Sequence, residues 1–422
     1  MQNQGNKLKE IAKNSEDITK CREHFPALKR IHNGYPIAFL DGPAGTQVPE
    51  KVLDAIVHYY ITSNANTHGR FVTASETDQL IKDTRKFVAT FLGTTNHHEI
   101  SFGANMTTLT YALSIAIGRY LKKGDEILIT QLDHEANRGP WLQLQEKGIR
   151  VREISMKLDG TLDYDDCESK ITEATRLVAM GYASNALGTV NDIGRIRQLT
   201  YKVGAWLLVD AVHFAPHFPI DVISVGVDFL LCSAYKFYGP QVGILYARRG
   251  LLDMLPSNHL RTQDQYAPYK IETGTMNHAA LAGIKAAIEY IASFGSGFDL
   301  RSRLVSAMKR IHDYEHELAK VAYLGLGEIP NIELYGPNFE TETRAPTIAF
   351  NIKDKRAFEV CSMLDEKAIF AWDGHFYAIR PIEVLGLLEK EGVIRIGISI
   401  YNTEEEIIRF LREIKRIATL VG

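Results

Sequence analysis

Short, almost continuously apolar runs alternate with helical patterns between residues 98 and 247, and this alternation limits the possible folds more than any other feature. EISF precedes the helical run MTTLTYALSIAIGRYL, DEILIT precedes a segment around Trp141, and RLVAMGYA precedes residues 192–202. Three further apolar runs follow, AWLLVDA, DFLLCSA and VGILYAR. Strands without polar alternation are typical of a parallel sheet covered on both faces. The sequence therefore predicts a doubly wound α/β domain.

The pattern changes after residue 296. One long polar helix follows, then fewer strands, APTIAFNI and VIRIGIS, and a closing helix that Thr403 is expected to cap. This order is typical of a smaller α+β unit. We predict a large domain over residues 31–296 and a small domain formed by residues 1–30 and 297–422.

Composition narrows the class of ligand. The net charge is -3 and the sequence pI is about 6.5, without a polybasic cluster, so we expect neither nucleic acid nor an anionic membrane as a partner. The four cysteines form no C-x-x-C pair, so neither a disulfide framework nor a metal site is expected. We see no signal peptide and no apolar run long enough to span a membrane, and we expect a cytoplasmic protein that binds a small molecule.

Polar residues that directly follow the apolar runs are the candidates for chemistry, because ligands of such sheets bind beyond the carboxyl ends of the strands. The candidates are Asn105, His134, Asn185, Asp210 and Lys236. Lys236 lies in SAYKFYGPQVGILYARR, between two tyrosines and before a Gly-Pro. An isolated lysine in this position is usually a solvated surface residue, so the other candidates must decide its role.

Together these residue types match the needs of pyridoxal phosphate. An amine bonds the aldehyde, a carboxylate keeps the pyridine nitrogen protonated, an aromatic ring stacks on the cofactor ring, and a helix N-terminus with hydroxyls binds the phosphate. An NAD-type dehydrogenase would need a Gly-rich turn after the first strand, and SFGANMT does not contain G-x-G-x-x-G.

The segment SAYKFYGPQVGILY resembles the lysine signature of the class V aminotransferases, the branch of fold type I pyridoxal phosphate enzymes that contains the cysteine desulfurases. The resemblance covers nearly the whole chain, because further segments match in order: FLDGPAGTQVP, LDHEANRGPW, YASNALGTVNDI, LLVDAVHFAPH, ETGTMN and RIGISIYNT. It is most similar to the group II desulfurases. The resemblance implies a large, mostly parallel seven-stranded sheet, pyridoxal 5'-phosphate as cofactor, an amino-acid substrate and a homodimer.

The resemblance also implies roles for individual residues. Lys236 is expected to bond the cofactor aldehyde, and Asp210, 26 residues earlier, to pair with the pyridine nitrogen. His134 is expected to stack on the ring, with helix capping as its alternative role. Asn185 should hydrogen-bond the phenolate oxygen. His213 occupies a position where the family usually has a glutamine, so a similar bond and a purely structural role both remain open.

The cofactor phosphate is expected at the start of the helix after EISF. The resemblance assigns it to the amides of Ala104, Asn105 and Met106, to the hydroxyl of Ser233, and to Thr275 from a second subunit. Relatives often carry Gly-Thr-Thr at this turn, whereas this chain has Ala-Asn-Met. Backbone donors survive such a change.

Two further assignments concern the cofactor and the substrate. Tyr235 stands where relatives often have a histidine before the lysine, and it is expected to line the cofactor site. Arg395 matches the arginine that binds the substrate carboxylate, a task suited to its planar fork. Asn185 is assigned to the substrate as well.

The chain departs from the desulfurase pattern at one decisive position. Group II relatives have the nucleophilic cysteine in G-H-H-C-A, and this chain has GHFYA at residues 374–378, which places Tyr377 at the position of the thiol. A desulfurase needs a thiolate to accept sulfur, and a phenol does not form the persulfide. Cys361 lies 16 residues upstream in a predicted helix.

We therefore expect a desulfurase-like enzyme that acts on an amino acid, with β-elimination at a C–S bond preferred over transamination. Tyr377 either donates a proton to the leaving group or shapes the pocket. The alternatives are a class V aminotransferase, a desulfurase that uses a displaced cysteine, and a non-catalytic relative that keeps the fold as an interaction protein. Retention of the lysine, aspartate, histidine and arginine together speaks against the last.

Overall fold

The computed structural model describes residues 16–340 and 343–419, so half of the predicted N-terminal contribution to the small domain, residues 1–15, lies outside the described residues. The α-helices are α1 Glu16–Lys20, α2 Glu50–Thr62, α3 Val72–Leu92, α4 Met106–Tyr120, α5 Gly139–Leu142, α6 Tyr164–Lys170, α7 Ile193–Val203, α8 Val222–Val225, α9 Leu251–Met254, α10 His278–Ala292, α11 Leu300–Gly327, α12 Ala357–Asp365, α13 Ile379–Val384 and α14 Glu404–Thr419. The strands are β1 Ile31–His32, β2 Tyr35–Pro36, β3 Ala38–Phe39, β4 Ile100–Gly103, β5 Glu126–Thr130, β6 Arg150–Ile154, β7 Thr175–Gly181, β8 Trp206–Asp210, β9 Phe229–Ser233, β10 Gly243–Ala247, β11 Ile332–Tyr335, β12 Thr347–Ile352, β13 Ile369–Phe370, β14 Trp372–Gly374 and β15 Val393–Gly397.

The large sheet has seven strands in the order β4-β10-β9-β8-β7-β5-β6. The strands β9, β8, β7, β5 and β6 pair in parallel, and β10 runs antiparallel to both β4 and β9. Every residue of β5, β8, β9 and β10 except Trp206 is buried, because helices cover both faces. The predicted mixed α/β fold with a large, mostly parallel sheet is confirmed.

Strand β6 was not predicted as a strand. Its sequence RVREI carries three charged residues, and the strand lies at the edge of the sheet, where these side chains reach water. Arg152 there lies 3.2 Å from Glu126 of β5. An edge strand keeps one side exposed, so it lacks the continuous apolar run that identified its neighbours.

A second, four-stranded sheet has the order β11-β12-β15-β14 with antiparallel pairs throughout. Helices α11 and α14 accompany it, and the hydroxyl of Thr403 accepts a 3.3 Å hydrogen bond from the amide of Glu406, as expected for the N-cap of α14. One hydrophobic cluster contains side chains from both sheets, such as Val209 and Ile394. The predicted division into two domains stays a prediction.

The long helix α11 is amphipathic: residues of one face are buried and residues of the other are exposed.

Across residues 16–340 and 343–419, no helix combines the length and the apolar character that crossing a bilayer requires.

Candidate active site

A cavity of about 420 Å³ lies at the carboxyl ends of β5, β7, β8 and β9, where the second sheet faces the first. The helices that follow parallel strands leave this edge open, so it is where polar side chains from distant segments meet. The structure brings together most of the predicted site residues in its lining: Asn105, Met106, His134, Asn185, Asp210, His213, Ser233, Tyr235, Lys236, Tyr377 and Arg395. Ala104 and Thr275 do not line it.

Lys236 ends the turn that follows β9 and is buried at the base of the cavity. Its amine donates a hydrogen bond to the carbonyl of Pro43 and lies 4.9 Å from the ring centre of Tyr235. Burial lowers the pKa of Lys236 to about 7, and the charge of Arg395 adds to this effect against the opposing carboxylates of Asp210 and Asp41. A large fraction of the amine is therefore neutral near pH 7, the form that can attack an aldehyde.

Asp210 is the last residue of β8 and is buried beside the cavity. One of its carboxylate oxygens accepts a 2.9 Å hydrogen bond from the amide of Val212. Burial raises the pKa of Asp210 to about 6, while that hydrogen bond and the charge of Lys236 counteract the rise. The carboxyl is held in one orientation at the end of a strand, as a partner for a heteroaromatic nitrogen must be.

A second buried carboxyl, Asp133, was missed by the sequence analysis. It follows β5 and accepts a 2.6 Å hydrogen bond from the amide of Gly181, which lies opposite Asp210 in the pairing of β7 with β8. Burial raises the pKa of Asp133 to about 7, and the charge of Asp210 adds to the rise. Its signal was present in LDHEANRGPW, directly before His134, where an acidic residue ends an apolar strand.

The imidazole of His134 has a fixed tautomer. Its Nδ1 accepts a 3.0 Å hydrogen bond from the amide of Ala136, so the ring proton of the neutral form is on Nε2. Burial lowers the pKa of His134 to about 4, with further lowering by Lys236 and Arg395. His134 thus caps the short helix Glu135–Asn137, the alternative role considered above, and also presents a neutral ring to the cavity.

His213 contributes a buried nitrogen without a partner. Its Nε2 lies 2.9 Å from the hydroxyl of Thr347, whereas no hydrogen-bond partner for Nδ1 exists among the described residues. Burial holds the pKa of His213 well below its usual value, and the neighbouring His217 lowers it further. An unpaired buried nitrogen is costly unless a ligand satisfies it. Because His213 lines the cavity, a bound ligand can supply that partner.

The turn between β4 and α4 brings a helix N-terminus to the cavity, and we call it the candidate anion site. Asn105 caps α4 in a reciprocal arrangement with Thr108, and the amide of Met106 donates a 3.0 Å hydrogen bond to the hydroxyl of Ser233. Thr107, which the sequence analysis did not select, also lines the cavity in the first helical turn. A Cβ at Gly243 would lie 2.2 Å from the backbone of Asn105, so glycine is required for β10 to approach this turn.

Arg395 projects from β15 and is buried in the opposite wall of the cavity. It donates a 2.9 Å hydrogen bond to the carbonyl of Asn185, and its guanidinium lies 4.0 Å from the ring centre of Phe376. Burial lowers the pKa of Arg395 to about 9, and Asp41 opposes that shift, so the side chain is still a cation at neutral pH. A carboxylate in the cavity would meet a positioned positive charge.

Asp41 is a further carboxyl without an assignment from the sequence. It forms an isolated bridge with Gly397, and its Oδ1 is buried without a hydrogen-bond partner in the described part of the chain. Burial raises the pKa of Asp41 to about 6 against the charges of Arg395 and Lys236. The residue belongs to FLDGPAGTQVP, so its position in a matching segment was visible, whereas the electrostatic influence of two distant cations on it was not.

Residues 374–378, which we call the rim loop, border the mouth of the cavity. Phe376 and Tyr377 have φ values of 53° and 57°, a conformation that costs energy for residues other than glycine. Two hydrogen bonds hold it: the side chain of Asn185 donates to the carbonyl of Phe376 at 2.9 Å, and the amide of Glu135 donates to that of Tyr377 at 2.7 Å. The Tyr377 ring lies 5.8 Å from that of His134.

The cysteines lie away from this site. All four belong to the described residues and all are buried, and none lines the cavity. Cys361 lies in α12, and burial raises its pKa to about 12, with Asp373 adding to the effect. Burial also raises the pKa of Cys232 well above its ordinary value. Neither thiol is a ready thiolate at neutral pH.

Thr275 lies on an exposed loop outside the cavity. The base of this loop is fixed by Glu272, whose carboxylate forms a buried two-pronged ion pair with Arg85 at 2.6 and 2.5 Å. The carboxylate also accepts a 2.7 Å hydrogen bond from the amide of Phe102 in β4. The loop therefore leaves the sheet at a defined point next to the candidate anion site.

The residues present fit pyridoxal 5'-phosphate. The cavity contains a partly neutral lysine amine, a fixed carboxyl, a neutral imidazole ring, an unpaired nitrogen on His213 and the start of a 15-residue helix. Each corresponds to a different part of the cofactor. In the described portion of the chain, no group of three or more His, Cys, Asp or Glu side chains could hold a metal ion.

The chain is similar in sequence and in structure to known cysteine desulfurases. The chain is 32% identical over 411 residues to a probable cysteine desulfurase of Synechocystis, covering 93% of this chain and 94% of that protein. It is 32% identical over 421 residues to a cysteine desulfurase of Serratia proteamaculans, covering 96% and 99% respectively. Solved structures of cysteine desulfurases are similar as well. That of Thermococcus onnurineus gives a TM-score of 0.85 at 27% identity over 94% of this chain and 97% of its own.

The desulfurase from Escherichia coli, solved as its S-sulfonic acid form, gives a TM-score of 0.83 at 26% identity, over 96% of this chain and 99% of its own. The family model for class-V aminotransferases matches residues 38–410, which span both sheets and every residue that lines the cavity. The chain is therefore a pyridoxal phosphate-dependent enzyme of the cysteine desulfurase-like type and belongs to the class-V aminotransferase family.

Proposed function

We propose that the protein is a C–S lyase, which eliminates the sulfur substituent from the β-carbon of a cysteine-type amino acid and releases pyruvate and ammonia. The observation that carries this proposal is the absence of a thiol at the cavity: the rim loop carries Tyr377, and all four cysteines are buried elsewhere. Without a thiol to accept sulfur, the sulfur must leave with the electron pair of its bond to carbon.

When bound, pyridoxal phosphate supplies an acceptor for the electrons of the α-carbon, and the protein supplies orientation and proton transfer. Lys236 would bond the cofactor aldehyde and, once released, accept the α-proton. With a pKa of about 7, the amine can both accept and return a proton near neutral pH. Arg395 would hold the substrate carboxylate through its guanidinium.

The remaining residues would orient the cofactor. Asp210 would pair with the pyridine nitrogen, and the neutral ring of His134 would stack on the cofactor. His213 would bond the phenolate oxygen through Nδ1, the atom that otherwise has no partner among the described residues. Asn185 would have to exchange or share its present bond to Phe376 to reach the same oxygen or the substrate.

The phosphate would lie at the start of α4. Met106 and Thr107 of the first turn line this end of the cavity together with Ser233. The hydroxyl of Ser233 accepts the hydrogen bond of the Met106 amide, so a bound phosphate would have to share or replace that bond. Asn105 would contribute through its cap, which fixes the turn, and Ala104 through its position before that cap. Tyr235 would pack beside the lysine.

We also infer a homodimer. Leu53, Val57, Tyr60 and Ile61 recur at helical spacing along α2, and all four are exposed in the single chain, as a stripe that an interface would bury. Thr275 is exposed on its loop and would reach the phosphate of the partner's site. Sedimentation should give a dimer, and Val57→Glu should weaken it. A monomer that still binds the cofactor tightly would contradict this.

A cytoplasmic location is consistent with four buried thiols that form no disulfide. Proteins that keep all cysteines reduced are typical of reducing compartments. Fractionation of cells that express the protein would test it.

The decisive experiment measures every product of L-cysteine turnover by the holoenzyme. Elimination should yield sulfide, pyruvate and ammonia in equal amounts, without protein persulfide. Alanine in equal amount with a persulfide on any cysteine would show a desulfurase with a displaced nucleophile and overturn the proposal. Release of a keto acid that requires an amino-group acceptor, without ammonia, would identify an aminotransferase.

A further inference from the structure

We infer that the substrate is a cysteine S-conjugate, whose sulfur carries an apolar group containing a ring, and that Trp372 and Tyr377 bind this ring. We call these two side chains the aromatic rim. The inference rests on the proposed function, because it specifies the substrate of the same cavity.

The position of Trp372 follows from strand pairing. Strand β14 is antiparallel to β15, and Trp372 is paired directly with Arg395. Directly paired residues project to the same face of a sheet, with Cβ atoms about 5 Å apart. Both side chains line the cavity. A substrate whose carboxylate is bound by Arg395 therefore has its own side chain within reach of the indole.

The length of a cysteine side chain decides which group makes this contact. One carbon separates the α-carbon from sulfur, so the thiol of free cysteine ends before it can cover the indole. A group attached to sulfur extends toward the mouth. Trp372 is 50% exposed and Tyr377 is 70% exposed although both line the cavity, so a large aromatic area at the mouth is uncovered in the single chain. Rings pack against such faces in stacked or edge-on geometry.

Tyr377 is held in place before any ligand binds. The amide of Glu135 fixes its carbonyl at 2.7 Å, and its own amide donates to Nδ1 of His375 at 3.2 Å. A residue in a left-handed conformation persists only where its surroundings enforce it. These contacts fix the backbone of Tyr377, so only the side-chain torsions of its ring remain to be ordered when a ligand binds.

The chemistry of the aromatic rim favours an uncharged ring. Asp373 also lines the cavity, but alternation along β14 directs its side chain to the face opposite Trp372, where its charge acts on Cys361 of α12. The side chains next to Tyr377 are the rings of His375 and His134. The surface presented to the sulfur substituent is therefore formed by aromatic rings, with two imidazoles beside them.

The reaction balances with water as the sole co-reactant. The α-C–H and β-C–S bonds break, the electron pair of the C–S bond leaves with sulfur, and sulfur takes a proton to become a thiol. The α-carbon electrons form the double bond of 2-aminoacrylate, which water hydrolyses to pyruvate and ammonium. Nothing is oxidised or reduced overall.

The test compares S-benzyl-L-cysteine, S-methyl-L-cysteine and L-cysteine as substrates of the holoenzyme, with pyruvate as the readout. We expect kcat/KM for the benzyl compound to exceed that for the methyl compound by about 10-fold or more. Trp372→Ala should lower this ratio by about 10-fold, and Tyr377→Ala provides a second variant with the same expectation. Tyr201→Ala, which removes a 75% exposed aromatic residue of α7 outside the cavity, should leave the ratio unchanged.

The outcomes separate this inference from the proposed function. Faster turnover of S-methyl-L-cysteine or L-cysteine than of the benzyl compound overturns the inference and leaves the lyase in place. A ratio that neither rim variant changes overturns the assignment of the aromatic rim. If no pyruvate forms from any of the three compounds, the proposed lyase activity fails together with the inference.

Discussion

The two ends of the cavity differ in almost every physical property. At the base, Lys236, Asp210 and Asp133 are buried. Burial lowers the pKa of Lys236 to about 7 and raises the pKa of Asp210 to about 6 and that of Asp133 to about 7. At the mouth, Trp372 and Tyr377 are half or more exposed. At the base, burial controls the protonation of the reactive groups. At the mouth, the exposed rings are available to contact a substrate. The base can thus supply reactivity, while the mouth can select what reacts.

The base of the cavity carries residues that the family shares, and the mouth carries residues that distinguish this chain. The base matches the segments common to class-V aminotransferases, whereas the mouth is where the expected cysteine is replaced. We therefore expect substitutions at the base to abolish or slow catalysis on any substrate, and substitutions at the mouth to alter selectivity.

Lys236→Ala should lower the rate of pyruvate formation by at least about 10³-fold, because no other amine is placed to bond the cofactor and transfer the proton. The variant should also lose the borohydride-reducible cofactor, measured by mass spectrometry. Lys285→Ala, which changes a lysine of α10 outside the cavity, serves as the matched control. Retention of a reducible cofactor at the original stoichiometry would refute the assignment of Lys236.

Arg395→Lys should lower kcat/KM by roughly 10- to 100-fold, mainly through a higher KM, because a single ammonium cannot bind a carboxylate in two places. Steady-state kinetics with the preferred substrate would measure this. Arg416→Lys on the exposed surface of α14 is the matched control. An unchanged KM would mean that another group binds the substrate carboxylate.

Asp133→Asn should alter the pH dependence of stability in the cofactor-free protein. The pKa of Asp133 is raised to about 7 from an ordinary value of 3.8, so the folded state binds the proton more tightly, and stability falls as pH rises between these values. The Asp133→Asn variant has no carboxyl to ionise at this position, so it does not lose stability in this way as pH rises. Relative to the wild type, its free energy of unfolding should increase by roughly 2–3 kcal/mol between pH 5 and pH 8.

Urea titrations at the two pH values would measure this difference. The exposed Asp54→Asn variant should show none. If Asp133→Asn is destabilising by the same amount at both pH values, the carboxyl is not titrating between them.

Tyr377→Phe should change kcat by less than about threefold, because we assign the ring, and not the hydroxyl, to the substrate. The hydroxyl is the only group removed. Rates with S-benzyl-L-cysteine for both proteins would decide this. A decrease within the range of roughly 10²- to 10⁴-fold would show instead that the phenol acts as a general acid, and the mouth would then share in the chemistry.

The sequence predicted most of the site residues at the base of the cavity and few of those at its mouth. Lys236, Asp210 and His134 follow apolar strands, and parallel strands bring their carboxyl ends together, so their convergence was predictable. Asp133 was visible in the matching segment LDHEANRGPW without an assigned role, and Thr107 stood at the helix start SFGANMT without one. Trp372 lies in a three-residue strand, which is too short for a period-two pattern to identify.

Two hydrogen bonds of the site depend on contacts that leave no periodic pattern in the sequence. The side chain of Asn185 bonds the carbonyl of Phe376, 191 residues away, and His134 caps a helix while it lines the cavity. Hydrogen-bond partners that lie far apart in the chain, or that depend on one local turn, leave no periodic pattern. The left-handed backbone conformation of Tyr377 could not be predicted either, because no residue in GHFYA requires it.

By itself, the sequence determined the class of sheet, the strand-end positions of the reactive groups and the absence of a cysteine in GHFYA, because these depend on local composition and order. The tertiary structure alone decided which of those groups are desolvated and which are exposed. The pKa of Lys236 is lowered to about 7 because the fold buries the amine and also brings the charge of Arg395 near it. Burial and proximity arise from contacts between distant segments, so no local stretch of sequence contains them.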